Sequence, residues 1–240
     1  TTLEHMKNLL IFKCCDAYQD RKINTNPNSP LYHHPLSGIL PKFPSNVQTI
    51  LISHNLIGGE IPLQWCEMTK LFKLNLVSLP NVSSMLPACL GNVTTLTGIV
   101  LDDMYGVHGK IPWGSTSDEV NNLSDWYNNN GWVHLLKQRE AGDFSLHIHG
   151  TSLTGNALPS IFPKKCRLDV LRITDAPYLG GIISPTISNC KIRDLQLRSV
   201  SLLHGDFPSK EICNMCDIQY LIVDGYHNFT RSSIAWFREN

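Results

Sequence analysis

The stretch Val47-Gln-Thr-Ile50-Leu-Ile52-Ser-His-Asn55-Leu-Ile57-Gly-Gly59-Glu-Ile61-Pro62 decides the fold. Its first, fourth and sixth positions are aliphatic, and an Asn, a Gly and an Ile-Pro pair follow them. The alternation Ile50-Leu-Ile52 suits a short strand, in which successive side chains point to opposite faces. One such segment buries little by itself. Stacked copies can merge their inward aliphatics into one continuous core, so the question is whether the segment recurs.

It does. Leu71, Leu74 and Leu76 begin the next unit, which closes in Leu86-Pro87 with one residue inserted. Leu96, Ile99 and Leu101 lead to Gly109-Lys-Ile111-Pro112. After an interruption, Leu146 and Ile148 precede Leu153-Thr-Gly155 and Leu158-Pro159. Leu168, Leu171 and Ile173 follow, then Ile192, Leu195 and Leu197, and last Ile218, Leu221 and Val223. A first unit is read at Met6, Leu9 and Ile11, with its Gly38-Ile39-Leu40-Pro41 displaced downstream. That makes eight strand cores, each built on an aliphatic pair. Only Asn55 keeps asparagine in the turn. Leu79, Met104, Thr151, Ala176 and Val200 replace it, so those turns must satisfy their backbone groups by other means.

The pattern LxxLxLxxNxLxGxIP resembles the leucine-rich repeat family, and within it the extracellular, plant-type subclass of receptor ectodomains and polygalacturonase-inhibitor-type proteins. The resemblance implies an α/β solenoid of about eight coils, with a parallel β-sheet on the concave side and irregular or 3-10 structure on the convex side. It covers residues 1–240 as one solenoid with two insertions, at about 16–35 and 113–142. The second insertion holds Trp126, Tyr127 and Trp132, and short helices are expected over Val120–Trp126 and Val133–Lys137. These aromatics are read first as packing on the solenoid, and second as an island that offers a binding surface.

Composition narrows the function. With 20 Lys+Arg against 20 Asp+Glu the chain is neutral, which removes the electrostatic basis for nucleic-acid binding or a polybasic membrane surface. Charged residues are only 17%, against about 25% in a typical soluble domain, so Asn, Ser and Thr supply the polar surface. That bias points to a secreted or cell-surface protein. No apolar run of about 18 residues is present, and no membrane span is expected. The first residues form no signal peptide. Neither end carries a recognisable cap. Three explanations stand: a fragment of a longer array, self-capping by Ile234, Trp236 and Phe237, or head-to-tail self-association.

The eight cysteines follow the repeat. Cys66 and Cys89 lie 23 residues apart, Cys166 and Cys190 24, and Cys190 and Cys213 23. Neighbouring coils stand about 5 Å apart, a span that suits a disulfide. Pairing is expected for Cys66 with Cys89 and Cys166 with Cys190, with the Cys213-x-x-Cys216 pair as further candidates. Buried thiols are the plain alternative. Sequons at Asn81, Asn92, Asn122 and Asn228 predict N-linked glycans.

The outward residues of the strands supply the candidate ligand surface. Asp102, Asp103, His147, His149, Arg172, Asp175, Asp194 and Arg198 form a mixed-sign patch on the later repeats. His147 and His149 share a face with Asp102, an arrangement a metal can use, but two histidines on an exposed strand are more commonly polar surface. No metal and no cofactor are expected. No phosphate loop, nucleophile elbow or paired carboxylates in a predictable cleft are present, so catalysis is not expected. The leading expectation is a recognition module that binds a protein, peptide or glycan through its concave face and island. A structural glycoprotein assembling end to end into an extracellular filament is the alternative. An inhibitor of a secreted glycosidase is the third, and it rests on the resemblance alone.

Overall fold

A computed structural model describes residues 3–15, 36–114, 131–137, 143–225 and 228–230. The fold is a leucine-rich repeat solenoid. Its concave side is an eight-stranded parallel sheet, in the order Ile11–Cys15, Thr49–Ser53, Lys73–Val77, Gly98–Asp102, Phe144–His149, Leu168–Thr174, Asp194–Arg198 and Tyr220–Asp224. Sequence order and spatial order coincide, as they must when each coil touches only its neighbours.

The inward pairs behave as their spacing requires. From Ile50 and Ile52 through Leu195 and Leu197, every one is at most 1% exposed. The leading aliphatics Val47, Leu71, Leu96, Leu168 and Ile192 are buried with them. The first coil departs from expectation. Phe12 pairs with Ile50 and Cys14 with Ile52, so the inward residues there are Leu9, Phe12 and Cys14. Ile11 points outward and is 60% exposed. The register is three residues from the one read off the aliphatics, because Phe12 fills its place by stacking on Phe43, with ring centroids 4.8 Å apart.

Beyond six of the concave strands the chain turns through a left-handed residue. His54, Ser78, Asp103, Asp175 and Ser199 all have φ near +50°, and Gly150 has φ +57° at the same place. The backbone N–H of this residue donates to the next coil: His54 to the Val77 carbonyl at 2.9 Å, Ser78 to Asp102 at 2.8 Å, Asp175 to Arg198 at 3.0 Å and Ser199 to Asp224 at 3.1 Å. Short polar side chains tolerate this conformation best after glycine.

The missing asparagines also find their substitute here. The Asn55 side-chain amide donates to the Ser53 carbonyl at 2.6 Å and its oxygen accepts from Leu36 N–H. Where Leu79, Met104, Ala176 and Val200 stand instead, one extra residue precedes the next inward aliphatic. A turn then closes on itself: Val82, Val107, Leu179 and Leu203 donate to those four carbonyls at 2.8–3.4 Å. The inserted residue does for the backbone what the asparagine amide does elsewhere.

Two lateral sheets, which the repeat pattern did not announce, flank the coils. One runs Ser37–Ile39, Leu56–Gly59, Asn81–Val82. The other runs Ser84–Met85, Val107–Lys110, Ser152–Asn156, Leu179–Gly181, Leu202–Gly205, Asn228–Phe229. On the convex side, 3-10 turns span Leu63–Glu67, Ala88–Asn92 and Pro185–Asn189, and short α-helices span Val133–Lys137 and Ser209–Cys213. Disulfides Cys66–Cys89 and Cys166–Cys190 tie neighbouring coils there. Cys213 and Cys216 are not disulfide-bonded: both are exposed free thiols, and Cys190, the neighbouring-coil partner for Cys213, is bonded to Cys166.

Trp132 explains how the solenoid absorbs the second insertion. Its indole N–H donates to the Pro87 carbonyl at 3.1 Å, one coil away. Trp65 does the same to Pro41, also at 3.1 Å. Trp132 therefore holds the place of Trp65 in its own coil, although a long segment separates it from the Ile111-Pro112 that starts the turn. It is fully buried and meets Trp113 edge to face at 6.5 Å. Its own side chain packs in the core of the solenoid. The helix expected over Val133–Lys137 is present. Trp126, Tyr127 and the helix over Val120–Trp126 lie outside the described residues, as do Asn122, Ile234, Trp236 and Phe237.

Candidate functional site on the concave face

Strand register sets the outward rows. The middle row reads Lys13, Leu51, Asn75, Val100, His147, Arg172, Gln196 and Ile222. The first-coil shift puts Lys13 in the place that spacing assigned to Leu10. From Ser53 to Asp224 the next row is as expected, and it holds Asp102, His149, Thr174 and Arg198.

Arginine and aspartate alternate across neighbouring strands. Arg172 Nε donates to Asp194 Oδ2 at 2.9 Å, and Arg198 Nε to Asp224 Oδ2 at 3.0 Å. At the strand entrances Arg167 pairs with Asp143 at 2.8 Å and Arg193 with Asp169 at 2.9 Å. Exposed pairs of this kind add little stability. Their effect is to fix where each guanidinium points. Asp194 differs from the other predicted site residues, because its side chain is only 5% exposed. It also accepts from Gln196 Nε2 at 2.9 Å. It lies in the outward row with Lys73, Gly98, Ser145 and Val170, and it fixes Arg172 while being almost fully buried itself.

His147 lies between Val100 and Arg172 in the middle row. Burial pushes its pKa below the ordinary value, and the Arg172 and His149 charges push the same way, against an opposing pull from Asp102 and Asp194. Asp102, Asp103 and Asp175 lie at the carboxyl ends of the strands. The Tyr105 hydroxyl donates to Asp103 Oδ1 at 3.3 Å, and the Asp103 charge raises the pKa of that hydroxyl, with smaller contributions from Asp175 and Asp102.

Two hollows open on this face. One, of about 450 Å³, is lined by Lys73, Gly98, Val100, His147, Val170 and Arg172 among others. It exists because Gly98 puts no side chain between Lys73 and Ser145 in their row. The second, of about 430 Å³, is lined by His147, His149, Arg172, Thr174, Asp175 and Arg198 among others. His147 and Arg172 border both. From Lys73–Val77 to Asp194–Arg198 the face crosses four strand intervals, about 19 Å at the usual spacing. That is the length of roughly six extended residues.

The sequon asparagines stand elsewhere. Asn81 and Asn228 lie on the lateral strands and Asn92 ends a convex 3-10 turn, and all three are exposed. The eight residues named for the site all fall on the concave side or at the strand ends beside it, Asp194 alone among them nearly fully buried. Sequence reasoning missed Lys73 and the Gly98 hollow. A glycine in an outward strand position was the available signal.

No family profile matches the chain, and no curated protein matches it. Among solved structures it is similar to a plant peptide hormone receptor, RGFR1, determined in complex with RGF2, with a TM-score of 0.56 and 19% sequence identity. The match covers 95% of this chain and 30% of the receptor chain. At that identity the likeness is one of fold.

Proposed function

We propose that the chain is an extracellular recognition module of the plant-type, LxGxIP leucine-rich repeat kind, and that it binds a peptide or extended protein segment along its concave face. The observation that carries this reading is the alignment of two adjoining hollows with arginines held in place by neighbouring carboxylates. Held side chains lose less freedom on binding, which is how a surface of modest area gains affinity. The described sequons leave this face free, so N-glycans on Asn81, Asn92 and Asn228 would not obstruct it. The two disulfides agree with an oxidising, extracellular setting. No helix among the described residues is long and apolar enough to cross a membrane. The similar receptor is itself a peptide binder by its description, which supports the class of ligand and not its identity. In this reading the chain holds its partner and performs no chemistry on it. End-to-end assembly and inhibition of a secreted glycosidase remain the alternatives, and neither has a distinguishing feature among the described residues.

The test is selection of a random-peptide display library on the intact chain, followed by binding of the enriched peptides to the Arg172→Ala/Arg198→Ala variant. The reading predicts a loss of affinity of roughly tenfold or more. Peptides that bind the variant as tightly as the parent would place recognition off this face.

A further inference from the structure

Every described arginine on the later concave strands has an acidic partner, yet three carboxylates at the strand ends face no lysine or arginine among the described residues. Among the described residues no Lys or Arg pairs with Asp102, Asp103 or Asp175. Two of these belong to a tight group. One ligand atom each from Asp102, Asp103 and His149 lies within 4.8 Å of the other two. The fold brings them together by register. Asp102 ends one strand, Asp103 takes the left-handed turn after it with φ +51°, and His149 ends the adjacent strand.

The imidazole is oriented from outside the group. His149 Nδ1 lies 2.9 Å from Thr174 Oγ1, on the next strand. With the proton on Nδ1 donated to that hydroxyl, Nε2 turns its lone pair toward Asp103 Oδ1 at 3.7 Å. In that tautomer a cation between the two acceptors would satisfy both, beside the Tyr105 hydroxyl that donates to the same Asp103 oxygen. The other Asp103 oxygen is held by the Ser78 hydroxyl at 3.3 Å, which fixes the carboxylate plane. Tetrahedral ligands bound at about 2.1 Å stand about 3.4 Å from one another, so the observed gap closes with small side-chain rotations. Gly150 leaves room: a Cβ there would lie 3.2 Å from Asp103 Oδ1.

We propose that Asp102, Asp103 and His149 form a binding site for one first-row divalent cation, Zn²⁺ in preference to Mg²⁺ or Ca²⁺, open on its solvent side to the concave groove. The imidazole sets the preference, because Mg²⁺ and Ca²⁺ take oxygen ligands. Three protein ligands leave at least one coordination position for water or a ligand group from outside. The set differs from the His147, His149 and Asp102 grouping that strand alternation suggests: Asp103 replaces His147, which sits one step back beside Val100 and Arg172. The site stands whether or not the concave face binds a peptide.

Calorimetric titration of the intact chain with Zn²⁺ tests it. The exposed thiols of Cys213 and Cys216 are first blocked by alkylation, since they would compete for the metal. The expected result is one saturable equivalent. Asp103→Asn and His149→Ala should each weaken it at least tenfold, Thr174→Val should weaken it by 10–100-fold as loss of an orienting partner does, and His147→Ala should leave it within twofold. Near-UV circular dichroism verifies that each variant is folded, and the two ligand variants serve as replicates if one is not. Absence of a saturable equivalent, or affinity that survives both His149→Ala and Asp103→Asn, would overturn the proposal and leave His149 as an imidazole paired with Asp103 by protonation alone.

Discussion

At the scale of single residues, the site depends on groups that never touch a ligand. Asp194 is the plainest example. Its position at the start of a strand made it look like a surface carboxylate, but burial beneath Arg172 makes it a positioning residue. Asp194→Asn keeps the volume and removes the charge. It should lower stability in urea unfolding by about 1.5–3 kcal/mol, the range for hydrogen bonds to charged groups, and weaken peptide binding as much as Arg172→Ala does. Asp175→Asn, an exposed change at the opposite ends of the strands, should leave the unfolding midpoint unmoved. The left-handed column gives a second residue-scale prediction. Ser199 has φ +53°, so Ser199→Val should cost about 1–2 kcal/mol while Ser199→Gly stays near neutral in the same assay. Glycine is required for a different reason on the lateral sheet. A Cβ on Gly180 would lie 2.3 Å from the Leu202 carbonyl oxygen, so Gly180→Ala must push two coils apart and should lower the melting temperature.

At the scale of elements, the coil is held by a rung on each side: inward aliphatics under the concave sheet, and indole, proline and disulfide contacts along the convex turns. Trp132→Ala should cost about 3–5 kcal/mol by emptying a fully buried site. Trp132→Phe, which keeps most of the volume and loses the bond to Pro87, should cost closer to 1 kcal/mol. Chemical denaturation of both variants separates the packing share from the hydrogen-bond share. The repeat made most of these elements readable, since period and aliphatic spacing together specify which side chains must point inward. Reading failed where another residue type did an aliphatic's job. Phe12 and Cys14 hid the first strand, and the exposed Ile11 drew the register three residues away. The lateral sheets were not readable because their strands are short and many are glycine-rich, too few residues to show a hydrophobic alternation. The left-handed turns were readable in principle: His54, Ser78, Asp103, Asp175 and Ser199 all fall two residues after the second inward aliphatic, and all but His54 are short polar residues. The arginine–aspartate pairing was not, since it depends on which neighbour each side chain reaches across the sheet.

At the scale of the whole molecule, a stack of coils touching only their neighbours presents one long curved surface, and everything distinctive about its chemistry lies on the later concave strands. Hydroxyl-radical footprinting of the intact chain, alone and with a library-selected peptide, reads that surface directly. The account predicts protection of His147, Arg172 and Arg198 together with the aliphatic and polar residues beside them, and unchanged reactivity at Met85 on the lateral sheet and Leu63 on the convex turn. Protection of Met85 or Leu63, with His147 and Arg172 left as reactive as in the free chain, would contradict it.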